Sequence, residues 1–490
     1  ENLDKISKGI RERGYEEYGS IGNLKRKLSE ISTGLSDLPG GQTNAILQNV
    51  RILENEFLLE STDAHVAENS YSFICINAIG GIEVRDSKTI EIKYPNQDPI
   101  KQEVAGAKID TQLWNYMQGY QVVPHTHAAT NFAQGLFGYT SFDAIPLFET
   151  ISFSEAKKTN IPLIRYRLYQ YVIVFDHYKD ELFICQNLLA NEAVDTSLIE
   201  SLIRNKDVPQ FPFTPVGEER SNITDDAYKA MVEKGVQHCL RGDVFQIVLS
   251  RRFEQSFKGD EFNVYRALRS VNPSPYLFFF DYGDYKLMGS SPEAQLIVRN
   301  NKAVMHPIAG TFKRTGNDEE DKALSAKLLE DAKENAEHVM LVDLARNDLS
   351  RSCTSVIVSQ FKQVKFYSHV IHLVSEVVGT LGVDTNPFSV LAQTFPAGTL
   401  SGAPKFKALE IIDGLEPTAR GYYGGAIGFV GFNGNFNHAI MIRSFLSKDN
   451  TLYYQAGAGV VVSSNPDSEL QEVNNKLNAL KRAVVLAAGI

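Results

Sequence analysis

Residues 166–177, YRLYQYVIVFDH, and residues 180–187, DELFICQN, carry the pattern that decides the fold. Each is a short run of β-branched and aromatic residues free of glycine and proline, and only a short connection separates them. Such runs read as neighbouring strands of an antiparallel hairpin. The same texture begins at FLLES (57–61) and recurs in YSFICINAIGGIEV (71–84) and TIEIKY (89–94). The chain through about residue 187 is therefore expected to form a hairpin-rich antiparallel sheet.

Working outward, residues 1–50 read as a charged helical segment with turns, ending in DLPGGQTN. Residues 198–222, LIESLIRNKDVPQFPFTPVGEERSN, offer a helix and then a proline-studded connector, the best internal boundary. Thr224 is placed to cap a helix whose first turn holds Asp225 and Asp226. Strands follow in VFQIVLSRRFE (244–254), PYLFFFDYGDYKLMGSS (275–291) and AQLIVRN (294–300). Apolar spacing at Leu324, Leu328, Ala332, Ala336 and Val339 predicts one long amphipathic helix over 319–346. The last third alternates strands with glycine turns and closes on a helix at 467–487. The expected class is α+β, with large antiparallel β-sheets packed as a sandwich and flanking helices. Three segments are expected: 1–50, an N-terminal lobe at 51–215, and a domain at 221–490.

The bulk numbers narrow the function. A chain of 490 residues is longer than one hydrophobic core usually serves. A hydrophobic content of 43% with 22% charged residues is ordinary for a globular protein. The net charge of −10 and the absence of a long basic stripe argue against nucleic acid as a partner. No apolar run approaches the roughly 20 residues of a spanning helix, and residues 1–20 hold no signal-like apolar stretch, so a cytoplasmic protein without a membrane partner is expected. The four cysteines, Cys75, Cys185, Cys239 and Cys353, lack metal-type spacing and suggest a reduced compartment.

Three signals point to chemistry. ENAEH places Glu334 and Glu337, and ELQE places Glu469 and Glu472, each pair on one helix face. Facing one cleft, the four carboxylates would suit Mg²⁺, a hard cation that keeps several waters; on spacing alone they read first as solvated helix faces. Glycine-dense runs at 395–405, 421–434 and 457–461 let backbone N–H groups approach an anion, or simply turn hairpins. Gln246, His372 and Arg443 sit singly inside apolar runs; a buried guanidinium wants an anion, whereas a lone histidine is usually a satisfied core residue. In HPIAGTFKRTG (306–316), Pro307, Gly310 and Gly316 suggest a tight turn with the inert Ala309 at its apex.

These segments together resemble the chorismate-utilising enzymes, and within them the large, chorismate-binding subunits of anthranilate synthases. The matching pieces stand in family order from GDVFQIVLSRRF through NPSPYLFFF, GSSPE, HPIAGT, ENAEHVMLVDLARNDLSR, HLVSEVVG, FPAGTLSGAPK, GYYGGAIGF, IRS and QAGAGVV to ELQEVNNK. They span about 221–480, and LLES with SYSFI extends the match to about residue 57. The first 50 residues do not match, and Leu277 stands where a methionine is common.

The resemblance implies a site. Mg²⁺ would be bound by Glu337 and Glu472, with Glu334 and Glu469 close by, and would take the ring carboxylate of chorismate, assisted by Lys476, Gly457 and Gly459. Tyr423 and Arg443 would hold the enolpyruvyl carboxylate. Glu293 would protonate the departing hydroxyl; on local sequence alone it could equally be a helix N-terminal glutamate after Pro292. His372, Thr399 and Thr311 would complete the catalytic set. The sister enzyme that makes aminodeoxychorismate has a lysine at the position of Ala309, and isochorismate synthases have one at that of Gln246. With neither amine, the resemblance implies ammonia as nucleophile. A separate glutamine amidotransferase subunit would supply it, in a heterotetramer. It further implies a tryptophan inhibitor site of Glu60, Ser61, Pro275, Tyr276 and Leu277. The alternatives are aminodeoxychorismate synthase component I and a non-catalytic binding paralogue.

Overall fold

The computed structural model describes residues 57–60, 71–104, 109–123, 127, 129–154, 160–190, 192–205, 211–366 and 370–490. The first 50 residues and Ser61 thus lie outside the described residues.

The two opening runs do form a hairpin: Ile164–Asp176 pairs antiparallel with Glu181–Gln186. Along its other edge Ile164–Asp176 pairs with the whole of Tyr71–Val84, with a register shift between Ala78 and Gly80. This long bent ribbon belongs to two sheets. One end continues through Phe57–Glu60, Tyr276–Asp281, Tyr285–Ser291, Ser444–Lys448, Thr451–Val460, Gln246–Gly259 and Phe213–Ser221. The other continues through Gly135–Thr140, Ala426–Gly431, Phe436–Ile440, Ala294–Arg299, Lys302–Met305 and Val370–Thr380 to the edge strand Ser355–Phe366. Every one of these pairings is antiparallel.

Alternation of side chains makes the sheets a sandwich. Val172, Val174, Phe278 and Phe280 from one sheet meet Phe137, Phe429, Ala439 and Ile440 from the other in a single buried cluster. The intervening Tyr171, Ile173, Leu277 and Phe279 point outward, under helices Asp225–Leu240, Phe262–Val271, Lys405–Leu415 and Pro466–Ala487. The second sheet is covered by Ile109–Gln118, Ala332–Ser350 and Pro387–Thr394. Four layers result, and strands from before and after residue 221 alternate within the sheets.

Local signals hold in several places. The Thr224 hydroxyl accepts from Ala227 N at 3.2 Å, capping its helix, and the last helix runs Pro466–Ala487. Two expectations are corrected. Residues 213–221 are an edge strand rather than a connector, which tolerates Pro215 because an edge needs fewer donors. The single helix over 319–346 is two, Asp318–Glu330 and Ala332–Ser350, broken where Asp331 turns extended and its carboxylate accepts from Glu334 N at 2.9 Å. The break rotates the second helix, so Val339 is exposed and Leu341, Val342, Ala345 and Leu349 face the core.

Candidate active site

The second of those helices carries the first carboxylate pair to the seam between the sheets. Glu337 Oε1 accepts from Gln246 Nε2 at 3.3 Å. Gln246 opens the strand Gln246–Gly259, whose partner Thr451–Val460 brings Gly457 and Gly459 alongside. A Cβ built on Gly459 would stand 2.5 Å from Gln246 Nε2, so a side chain here would push the amide from this position. The C-terminal helix enters at the same strand: Lys476 Nζ donates to Gly457 O at 2.9 Å and pairs with Glu472 Oε1 at 2.7 Å. The Gly457 backbone also bonds the buried Tyr423 hydroxyl, whose pKa burial raises. The two glutamate helices therefore converge on one pair of strands.

Glu293 sits at the centre of a second group. It precedes the strand Ala294–Arg299, with no helix at Pro292, so the alternative of a helix N-terminal glutamate is set aside. Burial pushes its carboxyl up to about 8, against the opposing pull of Thr399, Lys476 and Arg443. A carboxyl protonated near neutral pH is what a general acid needs. Thr399 Oγ1 lies 3.2 Å from Glu293 Oε1.

Arg443, although it lies in an apolar run, is not inside a strand. It stands instead between Phe436–Ile440 and Ser444–Lys448 in the left-handed region, φ 49°, and donates to Asn272 Oδ1 at 3.3 Å. A non-glycine residue held there costs energy and is commonest where a side chain must be aimed. Burial lowers its pKa while Glu293 opposes the shift, and Arg443 in turn lowers that of His372.

His372 is buried in Val370–Thr380, its Nδ1 3.1 Å from Gly310 O. A carbonyl can only accept, so Nδ1 carries the proton and Nε2 the lone pair. Burial, the largest cause, holds the imidazole below its usual pKa and hence neutral.

The HPIAGT segment is corrected from a tight turn to a bulged strand, Ile308–Lys313, because Gly310 at φ 72° shifts the register between Ala309 and Thr311. Its backbone places Ala309 opposite Leu373 and Thr311 opposite His372. A Cβ on Gly310 would meet Glu334 Oε2 at 3.2 Å, so the first glutamate pair adjoins the bulge as well. Glu469 is buried on the C-terminal helix. Among the described residues no group of three or more His, Cys, Asp or Glu side chains is drawn together as a metal centre.

At the N-terminal strand, Glu60 lies opposite Leu277. Glu60 Oε2 accepts from Tyr265 OH at 2.6 Å and Arg269 Nε at 2.8 Å. Its Oε1 and Arg269 Nη1 are buried without a hydrogen-bond partner among the described residues. Tyr265 and Arg269 escaped the sequence reading because nothing local links them to Glu60. So did the ion pair of Glu416 and Arg420, buried beside Tyr423, in which Arg420 Nη2 also donates to Val248 O at 2.8 Å.

With this geometry, the comparisons with known proteins decide the family. The family model for chorismate binding enzymes matches residues 55–482. The chain belongs to the chorismate binding enzymes. It is 38% identical over 453 residues to anthranilate synthase component 1 of Acetivibrio thermocellus, covering 89% of this chain and 91% of that protein. The Bacillus subtilis (strain 168) protein of the same name is 36% identical, with 90% of each chain covered. The crystal structure of anthranilate synthase component I from Streptococcus pneumoniae TIGR4 superposes with a TM-score of 0.71 at 33% identity, over 84% of this chain and 92% of that one. Escherichia coli MenF, a menaquinone-specific isochorismate synthase, shares the fold at a TM-score of 0.69 and 18% identity, over 94% and 98% of the two chains. No helix among the described residues is long and apolar enough to cross a membrane.

Proposed function

We propose that this chorismate binding enzyme is an anthranilate synthase component 1, converting chorismate and ammonia to anthranilate and pyruvate. The observation that carries the reading is the pair of positions without an amine. Ala309 is buried beside the bulge, and Gln246 brings an amide that donates to Glu337 rather than an amine. A family member with no lysine at either place needs a diffusible nucleophile.

The residues then divide the work. Arg443 and Tyr423 bind the enolpyruvyl carboxylate, and the strained backbone of Arg443 aims its guanidinium at that anion. Ammonia adds at C2 while Glu293, protonated near neutrality, gives its proton to the C4 hydroxyl, which leaves as water. His372, neutral with Nε2 as acceptor, then takes the ring proton as pyruvate departs and the ring becomes aromatic. Thr399 holds Glu293 in place.

The four glutamates suit Mg²⁺ in donor chemistry, since all are hard oxygen ligands and Mg²⁺ needs only one or two carboxylates. Glu337 and Glu472, both now held by nitrogen donors, would carry it, with Glu334 and Glu469 supporting. When bound, the ion neutralises the ring carboxylate of the substrate.

A glutamine amidotransferase subunit, in a heterotetramer in the cytoplasm, supplies the ammonia under this proposal. Tryptophan inhibits at Glu60, Ser61, Pro275, Tyr276 and Leu277, where Glu60 Oε1 is available to an α-ammonium and Arg269 Nη1 to a carboxylate. The deciding experiment combines chorismate, Mg²⁺ and an ammonium salt, and follows anthranilate fluorescence and pyruvate. Absence of both products overturns the reading.

A further inference from the structure

The ion pair of Glu416 and Arg420 has no part in the chemistry assigned above, yet both residues are buried, 4% and 3% exposed. Glu416 follows the helix Lys405–Leu415, and its Oε1 accepts from Ser250 N at 2.8 Å and Ser250 Oγ at 2.7 Å. Arg420 gives Nε to Glu416 Oε2 at 2.9 Å and Nη2 to Glu416 Oε1 at 2.6 Å. This two-pronged pairing balances the buried charges. The remaining bonds go elsewhere, from Nη1 to Leu400 O and from Nη2 to Val248 O.

Those acceptors lie close to groups already assigned to the reaction. Leu400 follows Thr399 in the turn Gly398–Leu400, and Thr399 bonds Glu293. Val248 stands on the strand that Gln246 opens. The guanidinium carbon is also 5.8 Å from the centre of the Tyr423 ring. A lysine could pair with Glu416, but its point-like ammonium cannot reproduce a planar fork that also spans two carbonyls on separate elements. Turn and strand keep one further tie, from Val248 N to Ser401 O at 2.9 Å, whatever stands at position 420. Losing the fork should therefore shift the turn rather than release it.

We propose that Arg420 is a positioning residue for the acid step: it fixes the turn Gly398–Leu400 against the strand Gln246–Gly259 and so keeps the Thr399 hydroxyl on Glu293. The assignment rests on the anthranilate synthase reading and adds to it a residue that acts through Thr399 rather than on chorismate.

The pH profile of kcat reads this directly. The Thr399 bond lowers the pKa of Glu293, so its loss moves the basic limb to higher pH. Lys476 and Arg443 also act on Glu293, and His306 and Asp348 line the same pocket. The bonds of Arg420 go to none of these four.

The test compares Arg420→Lys, Thr399→Val and the two combined, in the full chain with chorismate, Mg²⁺ and ammonium. Arg420→Lys should lower kcat about fivefold, the worth of one hydrogen bond, and move the basic limb upward. The combined variant should move it no further than Thr399→Val alone, because both changes remove the same contact. A limb that stays at the parent pH in folded Arg420→Lys overturns the proposal, since mere loss of stability would leave it there. Shifts that add in the combined variant overturn it as well. Should Arg420→Lys fail to fold, Glu416→Gln/Arg420→Met, which strands no buried charge, is read in the same way. Failure of the functional reading shows in the parent chain, which would make no anthranilate; failure of this proposal shows only in the variants.

Discussion

The hydroxyl of Thr399 lies 3.2 Å and 3.4 Å from the two carboxylate oxygens of Glu293. Burial raises the pKa of Glu293 to about 8, and this bond lowers it. As a general acid Glu293 works protonated, so turnover should fall as pH rises through about 8. Thr399→Val removes a bond that favours the carboxylate. The basic limb of the kcat profile should therefore move to higher pH; a limb that stays put or moves down rejects the assignment.

Replacing the acid itself separates catalysis from folding. Glu293→Gln should lower kcat by about 100-fold or more, the usual worth of a positioned acid. In the parent chain the folded state holds a proton that the unfolded state releases, over the range from the ordinary carboxyl value of 4.5 to about 8. Stability is thus lost as pH rises through that window. The glutamine variant lacks this slope, and melting curves at pH 4.5 and pH 8 should show a smaller difference than in the parent.

For the metal proposal, Glu337→Gln and Glu472→Gln should each reduce activity by orders of magnitude and raise the Mg²⁺ concentration needed for half-maximal rate. Circular dichroism should show the fold unchanged, since Glu472 is half exposed. Normal turnover at limiting Mg²⁺ in either variant counts against these ligands.

At the bulge, Ala309→Lys introduces an amine beside His372's strand. Anthranilate formation should slow markedly, and intact-mass measurement should reveal any covalent adduct with chorismate. Unaltered production would place Ala309 away from the reacting carbons.

The inhibitor site is tested with Ser61→Phe, which should leave catalysis intact and abolish sensitivity to tryptophan. Coupling is reciprocal, so chorismate should also weaken tryptophan binding in the parent chain. Full inhibition of the variant would remove Ser61 from the site.

Much of the fold was legible because its signals are local. The β-branched and aromatic runs of residues 166–187 predicted a hairpin, and Thr224 announced its helix. The matched motifs brought Glu293, His372, Arg443 and the glutamates into view, and the charge of Arg443 acts on both Glu293 and His372. What escaped depends on tertiary geometry. The cap that Asp331 offers competes with a helical pattern running straight through it. Gly310 could make a turn or a bulge, and only the partner strand Val370–Thr380 chooses between them. Glu60 with Arg269, and Arg420 with Val248, are relationships between distant stretches that no periodicity encodes.

The bent ribbon has a consequence for how the chain comes to be folded. Phe57–Glu60 closes one side of it by pairing with Tyr276–Asp281, roughly two hundred residues later, a separation whose loop entropy slows closure. During synthesis the early strands must wait with an open edge until that partner emerges. Such an edge invites pairing with other chains, so the nascent N-terminal half should be a client of chaperones, and a truncated fragment ending before residue 276 should aggregate.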